Sequence, residues 1–182
     1  MEDGPVTQAP ISLKGSTGIV KEFFAYAINN ILFQRGVYPP TSFKPTKKYG
    51  LTMQMTDEAG LRLYMAKILK YVEHWVTNKD IQKLVLVIKS FETKEAVERW
   101  AFNVQVTGKK GNQDTDENMG ENMTKNGKSE KEIRNDIRAI MVQITSCVSF
   151  LPLLEEECTF DILVYTNKET ETPKLWEESD PQ

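Results

Sequence analysis

The five residues Leu84-Val85-Leu86-Val87-Ile88 constrain the fold more than any other feature of the chain, because no polar side chain interrupts them. Successive side chains of a strand point to opposite faces, so an unbroken apolar run rich in β-branched residues needs cover on both faces. After a turn near residues 92–94, Trp100, Phe102, Val104 and Val106 alternate with Ala101, Asn103 and Gln105. The two segments read as an antiparallel hairpin.

Helices to pack against such a sheet are present. Val20, Phe23, Phe24, Ala27, Ile28 and Ile31 follow the i, i+3, i+4, i+7 spacing of one apolar helical stripe. Ser16 or Thr17 caps its start, and Gly36 with Pro39-Pro40 stops it. A second helix is predicted from about residue 57 to 77, with Leu61, Tyr64, Met65, Ile68, Val72, Trp75 and Val76 as its stripe. The third follows a capping box at residues 129–132 and carries Ile133, Ile137, Ile140, Met141, Ile144 and Val148, with Pro152 closing it. Leu51, Met53 and Met55 mark a half-buried strand, and Phe160 to Tyr165 the last one. Between the hairpin and the third helix, residues 107–128 are rich in Gly, Asn, Asp and Lys, with only methionines for apolar content. A mobile surface loop is expected there. Strands and helices do not alternate regularly, so the class is α+β rather than a doubly wound parallel sheet.

The 182 residues suit one domain, and a net charge of −3 gives no general pull toward nucleic acid or an anionic membrane. No apolar run approaches the roughly 20 residues that span a bilayer. Glu2 and Asp3 stand where a signal peptide carries basic charge, so a cytosolic or nuclear protein with reduced Cys147 and Cys158 is expected. His74 is the single histidine and lies in a helix, more in the manner of a surface residue than of a general base. Two isolated cysteines make no structural zinc site, and neither a phosphate loop nor a dinucleotide fingerprint is present. Glu155-Glu156-Glu157 reads as a solvated patch. The residues alone stop at a binding or scaffold domain that needs no cofactor or metal.

An ordered set of short stretches goes further. Ile11-Ser12-Leu13-Lys14-Gly15-Ser16, Phe23-Phe24, Ile28-Asn29-Asn30-Ile31-Leu32 and Gln34-Arg35-Gly36-Val37-Tyr38-Pro39 come first. Lys48-Tyr49-Gly50-Leu51-Thr52, Gln82-Lys83-Leu84-Val85 and Glu98-Arg99-Trp100 continue the series. Phe150-Leu151-Pro152-Leu153-Leu154-Glu155, Phe160-Asp161 and Trp176-Glu177-Glu178-Ser179 end it. The series resembles the mitotic-arrest-deficient protein two (Mad-two) family of the spindle-assembly checkpoint, collinearly and nearly end to end except over residues 107–128. The resemblance implies a HORMA domain, with a core over 11–166 and the start of a C-terminal "safety belt" over 167–182. It also implies a non-enzymatic adaptor, found in nucleus and cytoplasm and at unattached kinetochores. Its implied partners are a coiled-coil kinetochore receptor and the activator of the anaphase-promoting ubiquitin ligase. Sister HORMA proteins, of the translesion-polymerase or meiotic-axis type, are the nearest alternative; an assembly-prone form without peptide binding is another, and an enzyme is the reading from a different class.

By the same resemblance, partner peptides add as a strand to Phe160, Asp161, Ile162, Leu163, Val164, Tyr165 and Thr166. Alternation puts Phe160, Ile162 and Val164 on one face and Asp161, Leu163 and Tyr165 on the other, but does not say which sheet edge is open. Trp176 is the expected belt anchor. Family members continue beyond the Trp-Glu-Glu-Ser stretch, so the expectation here is an incomplete belt that latches a peptide poorly. Self-association in the family uses the third helix, which carries Arg138, Val142 and Gln143, with Phe150 just beyond. Val142 stands where an arginine is expected, which puts that pairing in doubt.

Overall fold

The computed structural model describes residues 6–7, 11–15, 17–106 and 130–167, with side chains described for 17–104 and 131–167. Strands β1 (Val6–Thr7) and β2 (Ile11–Gly15) precede helix α1 (Thr17–Gln34). A 3-10 turn at Pro40–Ser42 leads into β3 (Phe43–Lys48) and β4 (Leu51–Thr56), followed by α2 (Ala59–Asn78). The long hairpin β5 (Ile81–Ser90) and β6 (Ala96–Val106) comes next, then α3 (Glu130–Val148) and β7 (Cys158–Thr166). The α+β class is as expected. The expected loop over 107–128, Ser129 of the capping box and Trp176 lie outside the described residues.

α1 is the centre of the molecule. All six residues of its predicted stripe are inaccessible to solvent, and so is Leu32, while Asn29 and Asn30 are buried as well. A helix buried this widely is enclosed on several sides. It packs between α2 and α3, over β2 and β6, and under the β3–β4 hairpin. Phe23, Phe24 and Phe102 meet edge to face with centroids 5.5–5.9 Å apart. Inside this layer Asn29 is satisfied, its Oδ1 accepting from the Thr56 amide at 3.0 Å and its Nδ2 donating to the Ala25 carbonyl at 2.7 Å. Gly36 ends the helix with φ +68, while the Gly36 and Val37 amides donate to the Phe33 and Leu32 carbonyls.

The main sheet has the order β1/β2, β6, β5, β7. β1 and β2 both run parallel to β6, Val6–Thr7 beside Glu98–Arg99 and Ile11–Gly15 beside Phe102–Val106. β5 pairs antiparallel with β6 and with β7, so it is the central strand that its apolar run predicts. Leu84, Leu86, Ile88, Trp100, Phe102, Val104, Phe160 and Ile162 face the helices, and Val85, Val87 and Ala101 form a second small cluster on the opposite face.

β3 was not legible beforehand, because Phe43-Lys44-Pro45-Thr46-Lys47-Lys48 shows little apolar alternation. Its register comes from its partner: Lys48 pairs with Leu51 across Tyr49 and Gly50, which have φ 53 and 70. Positive φ at both positions is the two-residue turn whose twist suits a hairpin. β3 pairs with β4 alone among the described residues, which makes Pro45 tolerable. α2 starts at Ala59 rather than near 57, with the Glu58 carboxylate accepting from the Gly60 and Leu61 amides at 2.9 and 2.5 Å. Tyr64, read as part of the α2 stripe, is instead 41% exposed at its margin.

Candidate functional site

β7 is the last strand of the sheet, hydrogen-bonded to β5 on one side and to no other described strand. Phe160 and Ile162 are buried against the helices, and Val164 packs on the same core. Asp161, Leu163 and Tyr165 lie on the other face, where Leu163 and Tyr165 pack against the smaller cluster. Asp161 pairs with Lys89, and the Lys83 ammonium sits 4.5 Å from the Tyr165 ring centroid. The register with β5 runs from Cys158 opposite Ser90 to Thr166 opposite Ile81, with an irregularity between Ile81 and Lys83.

On the helix side an aromatic group backs the start of β7. The ring of Tyr64, on α2, meets Phe160 edge to face at 5.6 Å, and Tyr38 meets it at 6.2 Å. Burial, reinforced by the charges of Asp161 and Tyr38, raises the Tyr64 phenol above its ordinary value. Burial and Glu58 do the same for Tyr38. Both hydroxyls therefore stay protonated at neutral pH and offer neutral donors beside an apolar ring. The sequence motifs included Tyr38 but did not place it, or Tyr64, at β7. Only the packing of α2 beside the sheet does so.

The connection from α3 to β7 is tied down by a buried polar group. The Arg35 Nε lies 2.9 and 3.2 Å from the Glu98 carboxylate oxygens, and its Nη2 lies 2.8 Å from one of them. The same Nη2 donates to the Pro152 carbonyl at 2.6 Å, and Trp100 Nε1 donates to Glu98. Farther along, Ser90 Oγ donates to the Glu156 carboxylate and the Phe91 amide donates to the Glu157 carbonyl at 2.8 Å. Two members of the triple-glutamate run thus anchor the connection. Phe150 and Leu153 remain 88% and 86% exposed along it.

The remaining predicted residues lie elsewhere. Arg138, Val142 and Gln143 are exposed on α3, and α3 packs on α1 and β2 rather than near β7. Val142 is 47% exposed, large for an aliphatic side chain on a helix whose Ile133, Ile137, Met141 and Ile144 are buried. His74 is exposed, its Nε2 3.1 Å from Asn78 Nδ2. Burial, with Glu156 and Glu98 nearby, raises the Cys158 thiol, the opposite of what a nucleophile needs. Among the described residues no cluster of His, Cys, Asp or Glu suits a metal ion, and no helix is long and apolar enough to cross a membrane.

Known proteins share this arrangement. The HORMA domain family matches residues 16–180. Mitotic spindle assembly checkpoint protein MAD2A of Dictyostelium discoideum is 49% identical over 182 residues, all of this chain and 85% of that protein. Human MAD2A is 41% identical over 172 residues, 94% of this chain and 80% of its own length. MAD2B of Rattus norvegicus is 28% identical, over 82% of this chain and 65% of its length. Among solved structures, one of the mitotic checkpoint complex superposes with a TM-score of 0.76 at 42% identity, covering 92% of this chain and 83% of the other. The C. elegans protein HTP-1, in a complex with the HIM-3 closure motif, shares the fold at TM-score 0.66 and 16% identity, over 90% of this chain and 76% of its own. The chain therefore belongs to the HORMA-domain family, as a non-enzymatic adaptor of the MAD2 type in the mitotic spindle checkpoint.

Proposed function

We propose that β7 receives an extended peptide from a checkpoint partner, which joins the main sheet as a further strand beside residues 160–166. The partners implied are a coiled-coil kinetochore receptor and the activator of the anaphase-promoting ubiquitin ligase. Binding either at an unattached kinetochore, or in the surrounding nucleus and cytoplasm, delays anaphase. The observation that supports this reading is the end position of β7, which has a strand partner on one side only among the described residues. Backbone groups along such an edge are a ready template for strand addition.

Backbone pairing supplies register, at about 1 kcal/mol net per hydrogen bond, and tells one sequence from another poorly. Selectivity then rests on side chains that alternate along the peptide, and the Tyr38, Tyr64 and Phe160 group is the apolar surface beside the edge that can read them. The expected impaired latching depends on residues 168–182, which lie outside the described residues.

The experiment is fluorescence polarisation with a labelled receptor-derived peptide. Binding is expected, and Tyr64→Ala should weaken it about tenfold, the loss of roughly 1.4 kcal/mol usual for a partly exposed aromatic anchor. Equal affinity of Tyr64→Ala and the parent chain would remove the aromatic group from the site. No binding by either would remove the edge itself.

A further inference from the structure

Helix α2 turns outward a row of cations that no described carboxylate balances. Leu63, Lys67, Lys70 and His74 stand at i, i+4, i+7 and i+11, one line along a helix surface, and all four are exposed. Arg62 is exposed beside the start of the row. Between Ala59 and Asn78 the single carboxylate is that of Glu73, which Lys21 of α1 already holds at 2.5 Å. Lys21, Arg35, Lys44, Lys48 and Lys89 each have a carboxylate partner, whereas Arg62, Lys67 and Lys70 have none among the described residues. The chain as a whole carries −3, so this helix face is opposite in sign to the molecule around it. Like charges one turn apart, as on Lys67 and Lys70, also cost a helix stability. Leu63, 60% exposed, adds an apolar contact at the head of the row.

The row lies along the edge strand. Tyr64, next to Leu63, meets Phe160 at 5.6 Å, and past the far end of the helix Asn167 Nδ2 donates to the Lys79 carbonyl at 3.4 Å. From Tyr64 to Lys79 the helix rises about 22 Å, and from Phe160 to Asn167 the strand covers about 23 Å. α2 and β7 therefore run side by side, in the same direction, over the length of the strand. We propose that the outer face of α2 is a second docking surface. It takes an acidic segment of the same polypeptide that adds its strand to β7, with carboxylates on Arg62, Lys67 and Lys70 and an aliphatic side chain on Leu63. Opposite charge is the recognition that the row offers. One exposed leucine is too little apolar surface for a helix that lies on a membrane, and the row carries no aromatic ring on which bases would stack. A strand held at β7 raises the effective concentration of its own flanks beside α2, so exposed ion pairs that are weak singly add to the affinity. The choice of occupant rests on the peptide-binding reading of β7.

The test is fluorescence polarisation with the labelled receptor-derived peptide, extended at either end by about six glutamates around one leucine, against the same peptide extended by serines. The glutamate extension at one end is expected to tighten binding roughly tenfold at about 50 mM salt, with most of that gain gone at about 0.5 M. Lys67→Glu with Lys70→Glu should bring the glutamate peptide to the level of the serine peptide on the same variant. Lys44→Glu with Lys47→Glu, on β3, should keep the gain. Circular dichroism checks that these exposed substitutions leave the fold intact. Equal affinity for the two extensions at both ends overturns the proposal. So does a gain that survives the α2 reversal, or one that the β3 reversal removes as fully. Failure of the serine-extended peptide to bind at all would remove the β7 reading instead, and the acidic extension alone then decides: NMR amide shifts confined to residues 62–74 uphold the α2 surface, and their absence overturns it. Phosphatidylserine vesicles or a thymidine oligonucleotide shifting those amides where the acidic extension does not would overturn it as well.

Discussion

Arg35 and Glu98 form an ion pair at 3% and 2% side-chain exposure, so removing one strands the other. A buried ion pair is stabilising only against that alternative, since its own desolvation is large. Glu98→Ala should therefore cost about 3–5 kcal/mol in urea unfolding, while Arg35→Met with Glu98→Leu should recover most of it. Local pattern announces none of this: Arg35 lies 63 residues from Glu98 and 117 from Pro152. Both residues sit in motifs legible in the chain, but their contact is not. A second polar cluster sets the pH response. Burial works against ionisation of Glu22, but hydrogen bonds from Lys48 and Tyr49 outweigh it and hold the carboxyl below its ordinary 4.5. Its contribution to stability is thus present above about pH 4.5 and lost as pH falls through the folded value. Burial, then the hydrogen bond to Glu22, raises the Tyr49 phenol well above its ordinary 10. That contribution is present below pH 10 and fades as pH rises beyond it. Tyr49→Phe should flatten the alkaline limb of a stability-against-pH curve; an unchanged limb would mean that the Tyr49 phenol is neither buried nor bonded to Glu22 as described.

At the scale of elements, periodicity located all three helices and the β5–β6 hairpin because each is a local repeat that one face of a core enforces. It failed on β3, which is specified by the Tyr49-Gly50 turn and by β4 more than by its own residues. It also placed Tyr64 in the α2 stripe, although the helix meets the sheet so that this ring rests on Phe160 at the margin of β7. α3 presents an exposed face with Val142 where the family resemblance leads one to expect the arginine used for pairing. We expect no dimer through it: sedimentation velocity over a concentration series should give one monomeric species, unchanged in Val142→Glu. A dimer that Val142→Glu dissolves would assign α3 a pairing role.

At the scale of the molecule, stability should fall from the middle of the sheet outwards. β5 has a strand on each side, whereas β2 has β6 as its one strand partner among the described residues and closes a parallel pairing about 90 residues long in sequence. Native-state hydrogen exchange should find the β5 amides opening only with global unfolding and the β2 amides at much lower free energy; equal protection would refute that gradient. The sequence by itself determined the helices, the central strand, the α+β class and, through an ordered set of motifs, the family, because each is written in residues near one another or in fixed order. Only the tertiary structure decided that β7 has a single strand neighbour among the described residues, that Tyr38 and Tyr64 stand behind it, and that Arg35 reaches Glu98 and Pro152. Those facts depend on which distant segments close on each other. That choice minimises exposed apolar area and unpaired polar groups over the whole chain at once, and no window along the chain contains it.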